Sequence, residues 1–253
     1  MTSRDAVAHC TGTSAELHPA TSAGAAAETQ PTTTAGTTAE LHPATTAGTA
    51  AAHCIVRKAE LATDAVPLNV IELRNRIGQR PETLPEGLFE ECMEQLRGVL
   101  AYRYCYTRVP VLRPEEGALD LGFGVLHSAS LNRNLAGCEE AILFAATIGS
   151  GADRLLHRLS LTSPTKRFLV DAMASTAAES LADYVNRTLA EGLVTAPRFS
   201  PGFGGVPLSV QPAFLHCLDA SRQIGITLSE TNYMNPTKSV TALIGIRESG
   251  RNL

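Results

Sequence analysis

Apolar residues recur along most of the chain with the periods of helices and strands. Residues 85–100, PEGLFEECMEQLRGVL, put Leu88, Phe89, Met93, Leu96, Val99 and Leu100 on one broad face and predict a helix. NVIELRNRIG (69–78) predicts a shorter helix before it. In AYRYCYTRVPV (101–111), Tyr102, Tyr104 and Tyr106 alternate, which in a strand sets them on one face. ALDLGFGVL (118–126) predicts a second strand, and Ser128 or Ser130 can cap a short helix after it. EEAILFAATIG (139–149) predicts a buried strand ending in glycine, and GADRLLHRLS (151–160) a helix.

The longest periodic segment is 163–193. Ser163 stands as its cap, Pro164 suits its first turn and Gly192 stops it. Its stripe runs Phe168, Leu169, Ala172, Met173, Thr176, Ala177, Ser180, Leu181, Tyr184 and Leu189, with small residues in the middle that admit a close neighbour. QPAFLHCLDASR (211–222) predicts a short helix, and GITLSE (225–230) and SVTALIGIR (239–247) predict strands. Strands and helices mix without regular βαβ alternation. The expected class is α+β, a mixed or antiparallel sheet covered by helices.

The pattern fails before residue 55. Residues 1–54 are mostly Ala and Thr and hold none of the seven Phe or five Tyr. Three blocks of twelve align there without gaps: TSAELHPATSAG, AAAETQPTTTAG and TTAELHPATTAG. Each has a proline and at most one leucine, too little apolar surface to offset the entropy of ordering. The expectation is a disordered repeat tail (1–54) followed by one domain (55–253). His9-Cys10 and His53-Cys54 flank the repeats, but such spacing in a loose chain does not preorganise a metal site.

The net charge of −4 offers no basic footprint for nucleic acid. The start lacks the apolar core of a signal peptide, and the run AILFAATI is too short to span a bilayer. The six cysteines form no C-x-x-C pair and are expected to be reduced thiols in a cytoplasmic protein that does not use a membrane.

Among chemical motifs, no P-loop, G-x-S-x-G elbow or H-E-x-x-H is present. His127, His157 and His216 are scattered and expected to be ordinary packed or surface imidazoles. LGFG (121–124) suggests a nucleotide-binding turn, but Leu126 stands where a third glycine is needed and no long helix follows. TIGSGAD (147–153) is a strand–glycine–helix turn, a weak anion signal by itself.

RFSPGFGGVPLSVQ (198–211) is the most controlled segment. Pro201 fixes its backbone, and Gly202, Gly204 and Gly205 free it. Glycines let a ligand reach the main chain, and Arg198 offers a planar fork for a carboxylate. Phe199 and Phe203 can shield a flat group. Two readings stay open: a pocket for an anionic small molecule, or a tight loop in which Arg198 pairs with an acid such as Glu230.

Read onward, the segment resembles the C-terminal signature of the activation domain of vitamin B12-dependent methionine synthase. The family's R-x-x-x-G-Y corresponds to Arg198…Gly202-Phe203, followed by Leu218-Asp219, Leu228-Ser229-Glu230, Met234, Pro236 and Ser239-Val240-Thr241. GCEEAILFAATIGSGADRLL and TKRFLVDAMASTAAESLADYVN resemble small stand-alone versions of that domain, so the likeness spans about 67–247. The resemblance implies S-adenosylmethionine as cofactor and a cobalamin-binding methionine synthase or other corrinoid protein as partner. A flavodoxin-type donor would deliver the electron that allows remethylation of cob(II)alamin. It places Arg198 on the methionyl carboxylate, Pro201, Gly202 and Phe203 in the binding loop, and Glu230 on the pocket wall. It implies no catalytic side chain and no metal ligand. Phe203 stands where the family has Tyr, which removes one hydroxyl. No cobalamin-binding D-x-H-x-x-G, homocysteine-zinc or folate segment is present, so the expected action is in trans. The other expectation is a corrinoid-docking or structural module of a methyltransferase complex that does not use S-adenosylmethionine.

Overall fold

The computed structural model describes residues 55–78 and 84–247; the repeats of 1–54 and the tail after 247 lie outside the described residues. The elements run β1 (Arg57–Leu61), α1 (Val70–Ile77), α2 (Leu88–Arg97), β2 (Tyr102–Pro110), β3 (Ala118–Asp120), β4 (Val125–His127), α3 (Ala129–Asn134) and β5 (Cys138–Thr147). Then come α4 (Ser150–Thr162), α5 (Pro164–Ala190), β6 (Val194–Thr195), a 3-10 turn (Leu208–Val210), α6 (Gln211–Cys217), α7 (Ala220–Ile224), β7 (Thr227–Leu228), β8 (Met234–Asn235) and β9 (Ser239–Arg247). The class is α+β. A five-stranded sheet has the order β1-β2-β5-β9-β6 with every pairing antiparallel.

Both faces of this sheet are buried, which is why β5 reads as a nearly unbroken apolar run. Ile142, Phe144 and Ala146 point to one side and join Tyr102, Tyr104 and Ile244 in a core with α1, α2, α4 and α5. Ala141, Leu143 and Ala145 point to the other and join Cys105, Leu243, α3, the β3–β4 hairpin, α6 and α7. α5 is capped by Ser163, whose hydroxyl accepts from the Lys166 amide, and Pro164 opens it. Its stripe is buried from Leu169 to Leu181, partly buried at Tyr184 and Leu189, and exposed at Phe168.

Three predicted elements differ. The single strand expected over 118–126 is a hairpin, because Gly122 and Gly124 take φ of 79° and 139° and the Asp120 carboxylate accepts from the Gly122 amide. The helix expected over 211–222 is two helices, broken where Asp219 adopts φ 46°. GITLSE shortens to β7, paired with β8. The edge strands β1 and β6 were not anticipated, since neither has a clear alternation. The glycines of TIGSGAD serve packing: a Cβ at Gly151 would lie 2.4 Å from the Val99 carbonyl oxygen, and one at Gly149 would lie 3.0 Å from the Ala101 Cβ.

Candidate functional site

After α5 the chain turns at Gly192 and runs along the edge of β9. Ala196 donates to the Gly245 carbonyl at 2.8 Å, and Phe199 exchanges bonds with Leu243 at 2.9 and 2.8 Å. Pro197 and Arg198 therefore stand opposite Ile244 alone, a bulge in the edge strand. Ala196 and Phe199 both face the α3–α6 core, while the extra residue aims Arg198 at α5. The Asn134 side chain donates to the Pro197 carbonyl at 3.0 Å and ties α3 to the bulge.

Arg198 meets two carboxylates of α5. Nη2 donates to Glu179 Oε2 at 3.3 Å, and Nη1 lies 3.2 Å from Asp183 Oδ1. That second contact is an ion pair without hydrogen-bond alignment, so Nη1 is a buried donor with no hydrogen-bond partner. One turn earlier, Lys238 donates to Asp171 at 2.9 Å and to Ser175 at 2.8 Å. Asp171, Ser175, Glu179 and Asp183 thus form a polar line at i, i+4 spacing on a helix otherwise largely buried. This line escaped the sequence reading, which followed the apolar stripe. The four-residue period of polar residues across a long apolar helix was the available signal.

Beyond Arg198 the loop closes on itself. Gly202 donates to Val206 at 2.9 Å and Val206 to Phe203 at 3.0 Å, with Pro201 buried beneath. Gly202, Gly204 and Gly205 all have positive φ, and a Cβ at Gly204 would meet the Phe199 ring at 2.7 Å and Ser130 at 3.0 Å. The Ser128 hydroxyl donates to the Gly204 carbonyl at 2.7 Å while accepting from the Leu131 amide at 3.1 Å, so one side chain caps α3 and pins the loop. The amides of Gly204 and Gly205 have no hydrogen-bond partner among the described residues. They border a cleft of about 530 Å³ whose other walls include His127, Ser130 and Asn132.

The expected site residues are only partly brought together. Arg198, Pro201, Gly202 and Phe203 are contiguous, but Phe203 is 72% exposed at the loop tip and covers nothing. Glu230 lies exposed on the turn between β7 and β8, and the carboxylates that Arg198 meets are those of Glu179 and Asp183. His127 pairs with Glu115 at 3.7 Å. Cys92, Cys105 and Cys138 are buried free thiols. Among the described residues no three His, Cys, Asp or Glu side chains are grouped to hold a metal, and no helix is long and apolar enough to cross a membrane.

The chain matches no known protein-family profile, and no curated protein matches it. Its fold is similar to a solved one, the crystal structure of the MetH reactivation domain bound to AdoHcy. The TM-score is 0.60 at 15% identity, covering 79% of this chain and 81% of that one.

Proposed function

We propose that this chain is an S-adenosylmethionine-binding reactivation subunit that acts in trans, in the cytoplasm, on a cobalamin-dependent methionine synthase. The working domain is residues 55–253, with 1–54 outside it. The observation that carries the reading is Arg198: a bulge aims it at α5, and it keeps one buried donor without a hydrogen bond. A fold similar to a reactivation domain that binds AdoHcy supports it.

The residues present fit an amino-acid ligand. Such a ligand carries a carboxylate and an ammonium on one carbon. On binding, Arg198 would turn its fork from Glu179 and Asp183 to the ligand carboxylate, and the two released side chains would accept from the ammonium. Gly202 lets the main chain approach, and Pro201 holds the turn. Phe203, exposed at the loop tip, and Glu230, exposed on the β7–β8 turn, belong to the proposed binding set through the resemblance alone. When bound, S-adenosylmethionine supplies a transferable methyl group to the partner's corrinoid, and a flavodoxin-type donor supplies the electron. This chain binds, orients and docks.

The test is calorimetric titration of the full chain with S-adenosylmethionine, beside Arg198→Ala. The variant is expected to lose at least about tenfold in affinity, the worth of a charge-assisted bond. Saturable binding untouched by the substitution would move the ligand away from Arg198. A blank both alone and with a corrinoid protein added would reject the reading. That result would favour the second one, a docking module without the cofactor, for which the exposed apolar Phe203 speaks.

A further inference from the structure

We infer that this site selects its ligand by charge: Glu179 and Asp183 carry one negative charge more than Arg198 neutralises, and that surplus favours a sulfonium ligand over the corresponding thioether. The inference rests on the reading of the Arg198 loop as an S-adenosylmethionine site.

Glu179 and Asp183 lie one helical turn apart and face the same guanidinium, at 3.3 and 3.2 Å. The next carboxylate along α5, Asp171, is matched by Lys238 at 2.9 Å, so that neighbouring pair is neutral and leaves the surplus in place. S-adenosylmethionine carries a carboxylate, an ammonium and a sulfonium, for a net charge of plus one. S-adenosylhomocysteine carries only the first two and is neutral overall. Pairing of the carboxylate and ammonium with this cluster is common to both ligands. Only the sulfonium balances what remains. The side chains of Arg198, Glu179 and Asp183 are 24%, 38% and 55% exposed, so the attraction is weakened by solvent but not abolished. The demethylated product is thereby the weaker ligand, which clears the site after methyl transfer.

The experiment titrates the full chain with S-adenosylmethionine, S-adenosylhomocysteine and sinefungin, whose ammonium replaces the sulfonium without a transferable methyl. At low ionic strength the two cationic ligands are expected to bind about tenfold more tightly than S-adenosylhomocysteine. The gap should shrink at about 1 M salt, where the screening length is about 3 Å. Asp183→Asn keeps the shape of the exposed side chain, removes the surplus charge, and should bring the three affinities within about twofold. Glu179→Gln should narrow the gap likewise. Thermal unfolding checks that each variant is folded. Equal affinities in the unaltered chain, or a tenfold gap that survives both substitutions, would overturn the inference while leaving the site reading intact. Failure of all three ligands to bind would overturn both.

Discussion

Cys105 shows how one position reports on the whole sheet. It lies on β2 with no exposed surface, facing the α3–α6 core. Burial pushes its thiol from an ordinary 9.0 up to about 12; a hydrogen bond with the Ala145 backbone opposes the shift and the Asp219 charge adds to it. The unfolded chain therefore releases this proton at a lower pH than the native one. The stability tied to the neutral thiol is complete below about pH 9 and is lost as pH rises toward 12. Unfolding midpoints of the protein and Cys105→Ala are expected to converge over that window. A constant difference would show that the thiol titrates alike in both states.

The first turn of α4 depends on a missing side chain. Gly151 sits against the Val99 carbonyl, and a Cβ there would approach it to 2.4 Å, a backbone clash that no rotamer relieves. Gly151→Ala is expected to destabilise the protein by about 1–3 kcal/mol, as overpacking does, despite alanine's better helix propensity. Denaturant unfolding measures it, and a neutral or stabilising result would mean that α4 can move off the α2–β2 connection. The edge strand before the loop is governed by the opposite device. There an added residue, not a missing side chain, turns Arg198 toward α5.

The sheet joins two cores, and its central strand β5 feeds both. Phe144 is fully buried on the α5 side. Phe144→Ala is expected to cost about 3–5 kcal/mol through lost burial and the cavity left behind. Because Leu143 and Ala145 on the same strand hold the other core, unfolding should remain one transition by both circular dichroism and intrinsic tyrosine fluorescence. Two separated transitions would show that the cores are independent.

The sequence by itself determined most of the elements of the domain. Helices α1, α2, α4 and α5 and strands β2, β5 and β9 each bury a face long enough to show its own period, and Ser163-Pro164 marks the start of α5 directly. Arg198 and its glycines were legible because so many backbone-controlling residues in ten positions have few other uses. The remainder needed the tertiary structure. Strands β1 and β6 exist through pairing with β2 and β9, not through patterns of their own. The partners of Arg198 lie on α5, nineteen residues earlier for Glu179, and only a bulge against β9 turns the guanidinium toward them. Local periodicity reflects burial along one element. Which charges meet across two elements is set by the register between them, and a single chain position does not encode that register.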